Sequence, residues 1–287
     1  MTMPSLFKFI YILALFLAVT GCFGNRLSGG EISGNVTWAG QVKIQGDVVL
    51  AKGSRLTILP GTEVVFYPAG NNDRFVTHPH FPGSELIVLG QIIAEGSPEQ
   101  PIVFRYVDET APPGSWGGVN LMQNLDSSFE NVVFRQADSA IHSQESRVYI
   151  EQSLFENNLV AIRFHSSEIL IENNLIRDNG TGIRFHFGKP VICKNNIINN
   201  DKGVFVTSYP RDYLIENNTI MANGRNVVLG EEVPDNVLMQ RNFWGTTDPD
   251  EIKLTFFDGQ VESYLGKVIF KPLRSEPDPS SGLHWKQ

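Results

Sequence analysis

Cysteine is nearly absent from the 287-residue chain, which has two. A small secreted domain stapled by disulfides would need more, so that class is excluded. Charge is also sparse, at 19% of residues against 41% apolar, and such a composition excludes low-complexity disorder. Basic side chains are outnumbered, 23 to 31, for a formal net charge of -8. A general nucleic-acid binder needs a basic surface to release counterions, so no nucleic-acid partner is expected. The six His and five Met are unclustered, and neither a cofactor nor a metal is predicted. No apolar run has the length and period of an amphipathic helix. Glycine (26) and phenylalanine (19) are plentiful, as in a chain of many turns and strands. The length suffices for one large domain or two small ones.

Lys8 is the only charge before Arg26, and Phe9 to Val19 is an uninterrupted apolar run. At about 1.5 Å per residue, that run is too short for a hydrocarbon core of about 30 Å. It suits the central region of a secretion signal. Val19-Thr20-Gly21-Cys22 is similar to a bacterial lipobox, in which the signal is cut before Cys and the thiol is acylated; an ordinary signal peptide with a chance Cys is the alternative. Phe23 is not the Asp that retains lipoproteins in the inner membrane. Export, a lipid anchor on Cys22 and an outer-membrane address are therefore expected. Acylation would leave Cys193 without a disulfide partner.

The body of the chain repeats. SSFENVVF from 127, VYIEQSLF from 148, ILIENNLI from 169, VICKNNII from 191, YLIENNTI from 213 and NVLMQRNF from 236 align without gaps. A second motif follows in step: AIHSQ from 140, AIRFH from 161, GIRFH from 182, GVFVT from 203 and NVVLG from 226. One such unit cannot bury its apolar row alone, but units stacked about 4.8 Å apart can, and they satisfy the backbone between them. The inward rows predicted on this alignment are Phe129, Ile150, Ile171, Cys193, Ile215, Leu238; Phe134, Phe155, Ile176, Ile198, Ile220, Phe243; and Ile141, Ile162, Ile183, Val204, Val227. Cys193 is thus read as packing. Asn174, Asn196 and Asn218 are expected to form a ladder of stacked amides at a turn.

With these repeats the sequence resembles the right-handed parallel β-helix repeat family, the architecture of pectate-lyase-like proteins. LTILPGTEVVF (56–66), ELIVLGQIIAEGSPEQPIVF (85–104) and Trp116-Gly117-Gly118 extend the likeness toward the N-terminus. Asn242-Phe243-Trp244-Gly245 with Asp248-Pro249 is similar to the segment that closes such helices. The resemblance implies a fold that hosts lyases, hydrolases, epimerases, adhesins and proteins without catalysis. The Asp-Pro-His-Asp run of the epimerases, the Asp-Asp and Gly-His-Gly of the polygalacturonases and a calcium-binding Asp cluster are not recognisable.

Side chains alternate along a strand. With Ile162 and Phe164 inward, Arg163 and His165 face out, and Arg184 and His186 repeat them one rung later. Together with His142 they form a strip on the sheet that, in polysaccharide lyases of similar fold, lines the substrate groove. This strip could hold an acidic polysaccharide, with His or Arg as base for β-elimination. The alternative is a solvated face paired to loop carboxylates. Glu130, Glu151, Glu172, Lys194 and Glu216 make a second outward column. Its carboxylates approach the spacing of about 5 Å used by retaining glycosidases, but Lys194 in its midst favours a solvated ion-pair ladder. His78 and His80, two apart in the 67–84 loop with no third ligand, are a poor metal site.

The position before each inward Ile should also face out. It reads Tyr149, Leu170, Ile192, Leu214, Val237, and a neighbouring column reads Leu154, Leu175, Ile197, Thr219. Two such columns form an apolar patch of interface size. A partner protein covers them, or the tail from Glu251 to Gln287 does, or alternation breaks locally.

The expected fold is all-β: a single-stranded right-handed parallel β-helix of about ten rungs of about 22 residues, capped at both ends because open solenoid ends are edge strands. Its expected parts are a signal peptide at 1–21, a linker at 22–30 after the lipidated Cys22, the β-helix at 31–250 and a C-terminal cap and tail at 251–287. The leading function is a lipid-anchored, non-catalytic envelope protein acting as a binding or scaffold subunit for an envelope partner. The alternative is a polysaccharide lyase-like enzyme, or a binder of acidic polysaccharide, using His142, Arg163, His165, Arg184 and His186. A third is an accessory of metallocentre maturation. The resemblance implies it because the periplasmic protein that assists copper assembly of nitrous-oxide reductase is also built from β-helix repeats.

Overall fold

A computed structural model describes residues 26–70, 81–210 and 212–285. The signal segment, Cys22, and the loop residues His78 and His80 lie outside the described residues. Three parallel sheets of nine, ten and eight strands wind around one core in about nine turns, as the expected right-handed parallel β-helix. In chain order a rung contributes to the first sheet (Val132–Arg135), the second (Ala137–Gln144) and the third (Arg147–Glu151). Among the described residues helix is confined to Pro249–Leu254.

The corners explain why the sequence winds. At each, one residue takes a left-handed backbone, for example Asn157, Asp178 and Asn199 between the first and second sheets, and Asn173, Lys194 and Asn217 between the third and first. A buried amide follows. Asn174, Asn195, Asn218 and Asn242 stack along one corner, each Nδ2 donating to the next Oδ1 at 2.9–3.0 Å. Asn158, Asn179, Asn200 and Asn223 do the same along the other. Each Oδ1 also accepts a backbone N–H of the rung before it, as Asn195 does from Asn174. The amides thus satisfy turn groups that neither sheet can reach.

The core consists of rows running down the stack. Phe104, Phe134 and Phe155 stack with centroids 4.8 and 5.0 Å apart, and Phe164 lies 5.0 Å from Phe185. The expected row Ile141, Ile162, Ile183, Val204, Val227 is fully buried and in register.

The other two rows need correction past Ile176. Ile171 pairs with Ile192, not Cys193, and Ile192 pairs with Ile215. Ile192 is 0% exposed, whereas the Cys193 side chain turns outward and is half-buried. Likewise Ile197, rather than Ile198, continues the row of Phe155 and Ile176. Met239 and Trp244 are buried where Leu238 and Phe243 were expected. The amide in the ladder is Asn195; Asn196 lies on the strand and pairs with Leu175 and Thr219. The cause is an insertion. Phe185 pairs with Val206, then the register shifts, and Val191 pairs with Leu214, so the extra residues of that rung fall between Val206 and Leu214; one more enters after Leu229, where Ser208 pairs with Glu232 and Thr219 with Phe243, and displaces Leu238 and Phe243. The gap-free alignment spreads them over two rungs, and a one-residue slip turns each side chain to the opposite face.

The C-terminal segment closes the stack. Asp248 caps the short helix by accepting the Asp250 N–H at 2.8 Å, Phe256–Phe257 adds a strand to the second sheet, and Val268–Ile269 pairs with Val237–Leu238. The tail then climbs back along the corner between the third and first sheets. Gly282 N–H donates to Lys194 O at 2.8 Å, and the Trp285 indole donates to Gln152 O at 2.7 Å. There Leu283 and Trp285 pack on Val133, Leu154 and Leu175. The tail therefore covers the column of Leu154 and Leu175 on the first sheet. Trp285→Ala is expected to cost about 2 kcal/mol by uncovering this patch. Denaturant titration checks the loss and anilinonaphthalene sulfonate fluorescence checks the exposure; unchanged values in both would mean that the tail rests on the patch without stabilising it.

Candidate functional site

Two outer faces carry the expected site residues, on the second and third sheets. On the second, His142, Arg163 and Arg184 do pair along one column, and His165 and His186 along the next, but the strip is not uniformly open. Phe81, from the loop before the Leu86–Val88 strand, folds over its upper half. The ring lies edge-on to His142 at 5.3 Å, and the Arg163 guanidinium sits 5.0 Å above it. His142 is 5% exposed, with Nδ1 3.1 Å from Asn120 Oδ1. Burial, reinforced by the Arg163 charge, pushes its imidazole down to about 3. It is neutral at any physiological pH and out of reach of a polymer.

The same loop is pinned by a group that sequence reasoning missed. Glu85 is fully buried and accepts the Phe81 N–H at 2.6 Å. Burial, with Asp47 nearby, lifts its carboxyl to about 8. A Cβ on Gly117 would collide with its side chain, and one on Gly118 with Ser139 O, which accounts for the Trp116-Gly117-Gly118 motif. No local signal marks Glu85, because its burial depends on Asp47 and Gly117, which come from neighbouring rungs.

The lower half of the strip is open. His165 and His186 stack at 5.0 Å, with Phe187 edge-on to His186 at 4.5 Å. Ser208 links His186 Nδ1, at 2.9 Å, to Glu232. Burial and the neighbouring His165 lower the His186 pKa. Arg184 lies over Phe205 at 5.2 Å.

On the third sheet, the true outward column is Tyr149, Leu170, Val191, Leu214, and Leu238, beside the buried Met239, extends it. Ile192 and Val237, expected in this column, are core residues at 0% exposure; Val237 is roofed by its pairing with Val268. The slip that misplaced Cys193 misplaced Ile192. Tyr149 is 37% exposed, Leu214 43% and Leu238 51%. The tail that covers Leu154 and Leu175 does not reach this column.

Beside it runs the carboxylate column, also shifted by the slip. Its members are Glu95, Glu130, Glu151, Glu172, Cys193 and Glu216. Lys194 is a corner residue that reaches back to Glu172 at 2.8 Å, and Arg241 reaches Glu216 at 3.0 Å. Partial burial, then Glu172, Glu130 and Glu95, raise the Glu151 pKa. Burial, with Glu172 adding, pushes the Cys193 thiol up to about 11.

The geometry thus defines a parallel β-helix protein with one sheet face part-plugged and another left apolar. The chain matches the family described as periplasmic copper-binding protein (NosD) over residues 106–262. That is more than half of its length, and the chain belongs to the NosD family. The description agrees with export across the inner membrane. No curated protein and no solved structure matches the chain.

Among the described residues, no three His, Cys, Asp or Glu side chains gather to hold a metal ion. The His165 and His186 rings lie nearly parallel, 16° apart, so their in-plane lone pairs run side by side instead of converging. Thiolate rather than thiol is the soft-metal ligand, and Cys193 holds its proton. These residues do not fit a resident copper ion. Among the described residues no helix is long and apolar enough to cross a membrane.

Proposed function

We propose that the protein is a lipid-anchored, non-catalytic accessory protein of the envelope, which serves copper handling by holding a partner protein. The observation that carries this reading is the contrast between two apolar columns. The chain covers Leu154 and Leu175 with its own tail and leaves Tyr149, Leu214 and Leu238 in water. An uncovered apolar ladder is unfavourable by about 25 cal/mol per Å², which a partner would recover. The family description supplies the envelope and the copper. The plug of Phe81 over His142 and Arg163 argues against an open catalytic groove. The expected results are that Cys22→Ser frees the protein from the membrane fraction, and that Leu170→Lys with Leu214→Lys keeps the melting temperature but abolishes co-purification of an envelope protein. Retention of the same partner by that double variant would refute the scaffold role.

A second reading, a binder of acidic polysaccharide, is favoured by the open lower half of the strip. Burial first, then His165, lower the His186 pKa, so its imidazole takes up a proton at a more acidic pH than an unperturbed one does. Polygalacturonate binding should therefore strengthen in acid and weaken with Arg184→Ala. Binding indifferent to both, or none, removes this reading; new ultraviolet absorbance on polyuronates would overturn the non-catalytic one.

A further inference from the structure

The ladder on the third sheet has two unlike flanks. On one side Arg147, Glu168, Lys189 and Asp212 follow each other down the stack, with Arg147 3.0 Å from Asp126 and 3.3 Å from Glu168, and Lys189 3.8 Å from Asp212. Those charges neutralise one another. On the other side stand Glu95, Glu130, Glu151, Glu172 and Glu216, of which Glu172 and Glu216 have cations, Lys194 and Arg241. Ser128 donates to Glu95 at 2.8 Å, which leaves its charge in place. Three carboxylates stacked on consecutive rungs thus continue one edge of the ladder past its Tyr149 end, Glu151 beside Tyr149, Glu130 beside Ser128 and Glu95 beside Ile93. Like charges directly opposite each other in a sheet destabilise it, so this edge gains from a cationic neighbour.

The dimensions restrict what that neighbour is. Four paired rungs, Tyr149 to Leu214, with Leu238 exposed on the rung that follows, make an apolar stripe about 19 Å long with a period of about 4.8 Å. An α-helix lying along it presents an apolar residue about every 5.4 Å and spans it in about 13 residues. From Tyr149 to Val191 the face lies inside a sheet, with its backbone groups paired above and below, so an added strand would find no hydrogen bonds there. Side-chain packing by a helix needs none.

We infer that the stripe Tyr149–Leu170–Val191–Leu214–Leu238 docks an amphipathic helix of a partner protein whose apolar face runs on at one end into Lys or Arg, with those cations set against Glu151, Glu130 and Glu95 at and past the Tyr149 end. The inference rests on the scaffold reading and names the chemistry of its partner. A second copy of this chain is the competing occupant. Meeting this chain through the same face, it brings no basic ladder, because one flank there is self-neutralised and the other is acidic.

The test places a photoreactive benzoylphenylalanine at Leu214 of the full, membrane-anchored chain. The cells are irradiated and the adduct peptide is identified by mass spectrometry. The expected adduct lies in an amphipathic helical segment carrying at least two Lys or Arg at one end of its apolar face. Its yield should fall at least fivefold in Glu130→Gln with Glu151→Gln and at high salt, where exposed pairs are screened. It should hold in the control Glu31→Gln with Glu99→Gln. Fold integrity of each variant is read from its thermal midpoint. An adduct to a second copy, to lipid or to an acidic or uncharged segment overturns the inference, as does a yield indifferent to the Glu variants. If an envelope protein still co-purifies through Leu170 and Leu214 while the adduct lies outside a basic helix, the basic helix alone falls. If no partner is retained and no adduct forms, the scaffold reading falls with it.

Discussion

Ile192→Asp is expected to unfold the protein or cost about 5 kcal/mol or more, while Val191→Lys, one residue away, should change stability by less than about 1 kcal/mol. Ile192 is fully buried between Ile171 and Ile215. A carboxylate there loses its hydration with no cation or donor in reach, and the apolar contacts of the row are lost as well. A domain is stable by only about 5–15 kcal/mol, so one such change consumes most of the margin. Val191 points outward beside Leu170 and Leu214 and leaves room for an ammonium in water. Ile171→Asp should match Ile192→Asp. Guanidinium unfolding of the variants decides the register. If Val191→Lys were the severe change and Ile192→Asp the mild one, the faces would be reversed and the expected Cys193 row restored.

The second large effect is expected at Asn195. Its Nδ2, with two N–H groups, lies within hydrogen-bond reach of Ile171 O at 2.8 Å, Cys193 O at 2.9 Å and Asn218 Oδ1 at 2.9 Å. Its Oδ1 accepts both the backbone N–H and the amide of Asn174. Asn195→Ala strands several buried polar groups at once, each worth about 1–3 kcal/mol when left unpaired. With partial relaxation the sum should be about 2–4 kcal/mol. Asn195→Ser should recover part of it, because Ser153 already opens this ladder, accepting the Val132 N–H at 3.1 Å. Asn196→Ala, at the neighbouring position that the sequence pattern favoured, should be nearly silent. Equal losses at 195 and 196 would show that the ladder is not what holds the corner.

These two pairs also show where the sequence is readable. The rows from Phe129 to Ile171 and from Ile141 to Val227 follow from spacing alone, because each rung has one apolar face and an unbroken period. Past Ile176 the pattern is degenerate. Val191 and Ile192 are both apolar, as are Ile197 and Ile198, and Asn195 and Asn196 are both Asn. Either register buries a hydrophobic row, so hydrophobicity does not choose between them. The ladder does choose, since only one amide can sit between Asn174 and Asn218. The same degeneracy put Ile192 and Val237 in the interface column in place of Val191 and Leu238, and Lys194 in the carboxylate column in place of Cys193.

The strip on the second sheet was legible as a column and not as a surface. Alternation sets the direction of His142, Arg163, His165, Arg184 and His186, and the structure keeps all five facing out. Alternation says nothing of a loop that returns over them. Phe81 and Glu85 precede His142 by more than fifty residues, and only the winding of the chain brings them to it.

By itself the sequence determined the architecture, because a unit of about 21 residues with one apolar row per strand can bury that row only by stacking on its copies. It also marked the corners of the later rungs, because from Asn157 to Asn242 a left-handed residue followed by Asn recurs. Tertiary structure alone decided which residues of the later rungs face inward, since the insertion after Val206 shifts the register where both registers are apolar. It alone decided that the tail covers Leu154 and Leu175 and not Tyr149 and Leu214, since that depends on the path of residues 271–285 around a corner. The outer faces follow from how distant segments pack, and no local pattern encodes that.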